Sequence, residues 1–479
     1  MKNIIYRIVI IVFIAGVFNS CTKSLEQLPF DEFATANAFV TAADFENGIR
    51  GVYSNLTAAG YYGSSDGGSV LSAGDVMSDN VTISQSGRNT KAIMHNFRYS
   101  PSSGNSLANL YGDAYSLIYR ANQVLFYAED FAGESRENII AEAKALRAMA
   151  HFDMVRAFGK IPTQSGDANG GLGVAYVVTA DPNIEPARET VGEVYQKIVA
   201  DLVDAAAGIN VSNPAGRLNK DAVNVLLSRV YLYMGQWQNC IDAANAVSAQ
   251  VASRDNIVGV WEDTSQDGLL FYIPNEVGVL DFSIGVAWSQ GGMTSLIPEY
   301  VVNFDFYNSF ADDDIRKEAY TMQASNAGMG LSFNGIKKLF GRPGQFNGKV
   351  DYKIFRAAEA QLNKAEALFN LGSETTARQA LDVVRSRRYL TPPSGETGSA
   401  LRDAIRLERR FEFAFEYQRF YDLKRWGLGV QRSSAGDLAD GSGVASEVLS
   451  LPAGDNKWQL PISQGTLDQN PNAVQNPGY

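Results

Sequence analysis

What most limits the fold of this chain is a unit that recurs along it: an apolar helical stretch, a glycine, then a second helical stretch. Thr190 and Glu193 form a capping box. Val191, Val194, Tyr195, Ile198, Leu202 and Ala205 follow at i, i+3/4, i+7 spacing, one face of an amphipathic helix. Ala222 to Met234 is apolar around most of its circumference, and Gly235 breaks it. A second helix is expected from Gln238, with Cys240, Ile241, Ala244, Val247 and Val251 on one face. Ala141 to Phe158 ends at Gly159, Ala357 to Leu371 ends at Gly372, and Thr376 to Arg388 supplies a partner helix. Alanines at 143, 145, 148 and 150, and again at 357, 358, 360, 365 and 367, allow close helix approach.

Each unit resembles a tetratricopeptide repeat and lacks a buried face until a neighbour stacks on it. The expectation is an all-α, tetratricopeptide-like helical-repeat superhelix with long irregular loop insertions; an unspecific helical bundle is the alternative. Scaffold is expected over about 30–60, 108–160, 188–252 and 351–427. Loop-rich insertions are expected over about 60–107 and 253–350, with 162–188 a long connection and 437–446 an exposed loop. Irregular stretches this long usually carry function.

Residues 1–20 read as a lipoprotein signal peptide, leaving 21–479 as a single domain. Lys2 and Arg7 supply positive charge, and the 11 apolar residues from Ile8 to Phe18 are too few to span a bilayer. Val17-Phe18-Asn19-Ser20-Cys21 looks like a lipobox, in which Cys21 is acylated and becomes the new N-terminus; acyl chains then anchor the protein. A formal net charge of −11 argues against nucleic-acid binding, which needs clustered cations. Cys240 is the one other cysteine, so no disulfide framework can form and the core must hold by packing. It reads as an inert buried thiol.

Further segments share a pattern. Leu25-Glu26-Gln27-Leu28-Pro29 follows Cys21, and LYGDAYSLIYRANQVL carries Tyr111, Tyr115, Tyr119 and Asn122. Phe158-Gly159-Lys160-Ile161-Pro162 closes a helix. ERRFEFAFEYQRFYDLKRWG spans Glu408 to Gly427, and the chain closes on Asn476-Pro477-Gly478-Tyr479. Together, in order, these resemble the SusD/RagB family of nutrient-binding outer-membrane lipoproteins of Bacteroidetes. The resemblance implies a non-enzymatic protein without cofactor or metal, lipid-anchored in the outer membrane and facing the exterior. It would capture oligosaccharide (or peptide) and act as the lid of a SusC-like TonB-dependent transporter. Residues Thr22 to Asp31 would run extended along that partner. A tetratricopeptide-like envelope scaffold without a small ligand is the alternative.

A glycan site needs aromatic faces with amide, carboxylate and guanidinium groups around them. Tyr61, Tyr62, Arg88, Asn89, Asn96, Tyr99, Trp261, Trp288 and Tyr300 supply these types from the two insertions. Glu408, Glu412 and Glu416 recur at i, i+4, i+8, a spacing compatible with a glycosidase pair. With Arg409, Arg410, Arg419, Lys424 and Arg425 nearby, a structural ion-pair network is the better reading. Gly63-Ser64-Ser65-Asp66-Gly67 matches a nucleophile-elbow pattern, but no strand precedes it and only His95 and His151 could serve as base. Asp312-Asp313-Asp314 lacks the alternating spacing of a calcium loop and reads as a turn or helix start.

Overall fold

The computed structural model describes residues 38–63, 69–102, 107–276, 280, 282–292, 294–326 and 328–479. The signal peptide, Cys21, the segment after it and Ser64 to Gly67 of the nucleophile-elbow pattern lie outside them.

The chain is mainly helical. The helices Ala108–Ala128, Arg136–Phe158, Val191–Gly208, Lys220–Met234 and Trp237–Asn245 each pack on the next. Ala357–Asn370 then packs on Trp237–Asn245, and Glu374–Arg385 and Gly398–Glu412 pack on it in turn, so the array continues past the long insertion. Local chemistry sets the ends. Thr190 accepts from the Glu193 N–H, while the Glu193 carboxylate takes the Thr190 N–H at 2.9 Å, a full capping box. Gly235 terminates its helix at φ +70°, a left-handed conformation that L side chains adopt only with strain. Trp237–Asn245 ends before Val247 and Val251, two turns short of the sequence expectation.

The all-α expectation needs correction. The strands Val81–Ile83, Tyr300–Val302, Leu331–Ile336 and Thr321–Asn326 form an antiparallel four-stranded sheet in that order. Leu269–Ile273 pairs with Tyr352–Arg356. Runs as short as Val81-Thr82-Ile83 are buried at every position, so they lack the alternation that announces a strand. The 437–446 loop is exposed at Asp440 and from Ser442 to Val444, as expected, but is tied down at its two ends. Asp437 and Ser446 are buried, and the Asp437 carboxylate accepts the Gln85 and Val444 N–H groups.

The glutamate stripe is interior. Glu412 is fully buried against Arg316, Arg356 and Arg388; Glu416 meets Arg356 and Lys338; Glu408 meets Arg316 and Arg385. A network it is, but with partners distant in sequence. Arg409 and Arg425 go to Asp422, Arg410 and Arg419 to Asp79, and the Lys424 ammonium to the carbonyls of Arg156 and Gly159. Asp314 caps the Ile315–Tyr320 helix. Cys240 is buried, and burial pushes its thiol far above the ordinary range.

Candidate ligand-binding face

Beyond the Val81–Ile83 strand the backbone is strained. Asn89 (φ 56°), Lys91 (φ 60°) and Phe97 (φ 55°) are three of the seven non-glycine residues with positive φ among those described. Such conformations cost about 1–3 kcal/mol each and gather where a surface must hold a particular shape.

Glu299 holds it. Its side chain is fully buried, yet the carboxylate accepts from Arg88 Nε at 2.6 Å, the Arg88 N–H at 3.0 Å, Thr90 Oγ1 at 3.1 Å and Gln290 Nε2 at 3.2 Å. One carboxylate thereby joins the 85–91 loop to the hairpin of Ser289–Gln290 and Ile297–Pro298. Gly87 makes the approach possible, since a Cβ there would lie 2.6 Å from the Pro298 carbonyl oxygen and 2.9 Å from Glu299 Cα. From below, the Tyr300 hydroxyl donates to the Thr90 carbonyl at 2.6 Å. Burial pushes that phenol well above its ordinary range and keeps it a donor. Burial also holds His95 neutral. Its Nδ1–H faces the Val76 carbonyl at 2.8 Å, so Nε2 accepts from the Ser446 hydroxyl at 2.8 Å.

The sequence-selected residues divide into two groups. Arg88, 47% exposed at its side chain, and exposed Asn89 share this face, with Asn96 at its edge donating to Glu447 at 3.2 Å. Trp288 and Tyr300 lie beneath it, their rings 6.2 Å apart and both buried. They support the loop and present no surface to a sugar. Tyr61 and Tyr62 belong elsewhere, buried, stacked 4.6 Å apart and hydrogen-bonded to Asp153. Buried Trp261 packs on Tyr320 and the Lys338 ammonium. Tyr99 is buried and bonds to the Lys457 carbonyl. The expectation that these six rings form a contact surface is corrected on one physical ground: burying a large ring stabilises the fold more than exposing it.

Three contributors escaped the sequence reading. Glu299 and Gln290 organise the loop, and Phe346, 45% exposed, places its ring 3.5 Å from where a Cβ on Gly292 would stand, next to that hairpin. No motif marks a lone glutamate after a proline, or a lone phenylalanine among glycines. The face thus offers guanidinium and amide groups with one aromatic ring, a set suited to hydroxyls and sugar C–H groups, while the Glu299 carboxylate is used up inside. Among the described residues no group of three His, Cys, Asp or Glu could hold a metal, and no helix is long and apolar enough to cross a membrane.

Comparison with known proteins shows what the chain as a whole is similar to. Residues 322–479 match the SusD family, and residues 31–232 match the family described as "Starch-binding associating with outer membrane". The SusD-like protein P2 of Formosa agariphila is 25% identical over 99% of both chains. The starch-binding protein SusD of Bacteroides thetaiotaomicron is 31% identical over 27% of this chain and 22% of its own. The crystal structure of a SusD superfamily protein from the same species superposes with a TM-score of 0.80 at 26% identity, covering 91% of this chain and 100% of that one.

Proposed function

Because this chain belongs to the SusD/RagB family, we propose that it is a surface-exposed lipoprotein that captures oligosaccharide and acts as the lid of a SusC-like TonB-dependent transporter. Carbohydrate binding and association with the outer membrane are the parts that the relatives' names support. The lid role, the anchor at Cys21 and the outward orientation extend that reading. Stacked helix pairs of tetratricopeptide type serve as the rigid body, and the insertions carry the ligand face.

The observation that carries the proposal is Glu299, a buried carboxylate that holds a strained loop in one conformation with Arg88 and Asn89 at its surface. Preorganisation of this kind lowers the ordering cost of binding a flexible glycan. Binding requires no bond to be made, and the stripe of Glu408, Glu412 and Glu416 is sealed in the interior. The test is twofold. Tagged protein pulled from detergent-solubilised outer membranes should bring down a large β-barrel in stoichiometric amount. On a glycan array, the wild type should bind an oligosaccharide that the Asn89→Gly/Phe346→Ala protein binds at least tenfold more weakly. Recovery of the protein alone, with no glycan bound, favours the envelope scaffold.

A further inference from the structure

Three of the five tryptophans, Trp261, Trp288 and Trp458, are in the core. The other two, Trp237 and Trp426, are half-exposed and line a single cleft of about 330 Å³ in the helical scaffold, together with Phe369, Asn370, Arg402 and Arg406. None of these residues belongs to the loop face.

The cleft is built with care on one side and left open on the other. Trp426 donates its indole N–H to Glu366 at 2.8 Å, and Arg425 binds the same carboxylate bidentately at 2.6 and 2.7 Å. Glu366 is thereby neutralised, which holds its carboxyl down at about 2, and the indole plane is fixed. Gly235, in its left-handed turn, leaves room for Trp237: a Cβ there would sit 3.3 Å from Thr163 Cγ2 and 3.5 Å from Trp237 Cζ2. The Thr163 hydroxyl, also at the cleft, is buried without a hydrogen-bond partner.

Most arginines of this protein are paired within the fold; Arg406 is not, and unlike the exposed Arg50 and Arg387 it is half-buried. Its guanidinium lies 4.8 Å from the Trp426 ring centre, is half-buried, and makes no hydrogen bond or ion pair with any described residue. Arg402 spends its own charge on exposed Asp403, a contact worth little. A desolvated guanidinium with unused donors beside a flat ring is a fork for a carboxylate, and Trp faces suit the C–H face of a sugar.

We infer that this cleft is a second binding site, for the uronic-acid residues of an acidic oligosaccharide: ring on the indoles, carboxylate on Arg406. A polyanion of high charge density fits poorly, since the chain is itself strongly acidic. The inference adds a site to the proposed glycan-capture role and stands on residues separate from it.

The test is calorimetric titration of the full mature protein with trigalacturonic acid and with its fully methyl-esterified form. The wild type should bind the acid and lose at least tenfold on esterification, a comparison needing no variant. Arg406→Ala and Trp426→Phe should each weaken the acid at least tenfold, with ligand-induced quenching of tryptophan fluorescence reduced in parallel, and Arg406→Lys should recover part of the loss. No binding of the acid, equal binding of the ester, or affinity that survives Arg406→Ala and falls in Asn89→Gly would overturn the inference. Failure here leaves the loop face and the barrel pull-down untouched.

Discussion

Arg388 grips Glu412 with both arms of its guanidinium, at 2.8 and 2.9 Å, and neither side chain has any contact with solvent. Arg356 reaches the same carboxylate at 2.7 Å. Glu412→Gln removes the charge that compensates these cations. Breaking a buried pair from one side typically costs 3–5 kcal/mol. We expect a loss of that order in urea unfolding; a loss under 1 kcal/mol would mean that the cations find another partner.

Acid should loosen the helical scaffold through His151. The ring is stacked 3.9 Å from Tyr176, its Nδ1–H faces the Arg147 carbonyl at 2.9 Å, and Nε2 accepts the Val177 N–H. Burial holds its pKa down at about 3 against an ordinary 6.5. The unfolded chain therefore binds a proton that the folded chain refuses, and stability contributed above pH 6.5 is lost as pH falls from 6.5 toward 3. Asp75, raised to about 6 by burial, acts oppositely between 3.8 and 6. Replacing His151 by Gln should make the slope of stability against pH below 6.5 shallower by about 1.4 kcal/mol per pH unit.

Gly87→Ala should disorder the loop face with little effect on the helices. The added methyl meets backbone atoms of Pro298 and Glu299, which cannot swing away as a side chain tip can. A cost of about 1–3 kcal/mol is typical of such overpacking. Amide hydrogen exchange should accelerate over residues 84–92 while the Arg136–Phe158 helix stays protected; uniform exchange would contradict the picture of a locally clamped loop.

Glu299→Gln tests the clamp itself. The amide keeps an acceptor for the Arg88 N–H but loses the charge that holds Arg88 Nε at 2.6 Å. Glycan affinity should fall about tenfold, and thermal stability should fall with it. Unchanged affinity would place the ligand elsewhere.

Much of the scaffold was legible because its signals are local. Thr190 and Glu193 are three residues apart, and Gly235 and Gly372 (φ 76°) announce their turns by residue type. The ion-pair network was legible only in part: the glutamates share a helix face, but Arg316, Arg356 and Arg388 arrive from other segments, and charge alone carries no address. The ligand face was least legible. Arg88 and Asn89 stand out by type, whereas whether Trp288 or Phe346 faces solvent is decided by which side of the sheet each loop crosses. Aromatic type records no such direction.

The sheet that carries the loop face also sets an order of assembly. Val81–Ile83 finds its partner only at Tyr300–Val302, with five packed helices of the array between them in the chain. The loop-closure cost of that pairing is lowest once those helices have folded and brought the two strands near each other. Residues that clamp the loop can then mature late without delaying the body, and variation among them can proceed with small consequence for whether the protein folds. A rigid array made early and a recognition surface finished last would let a family of such proteins change what it holds while keeping how it is built.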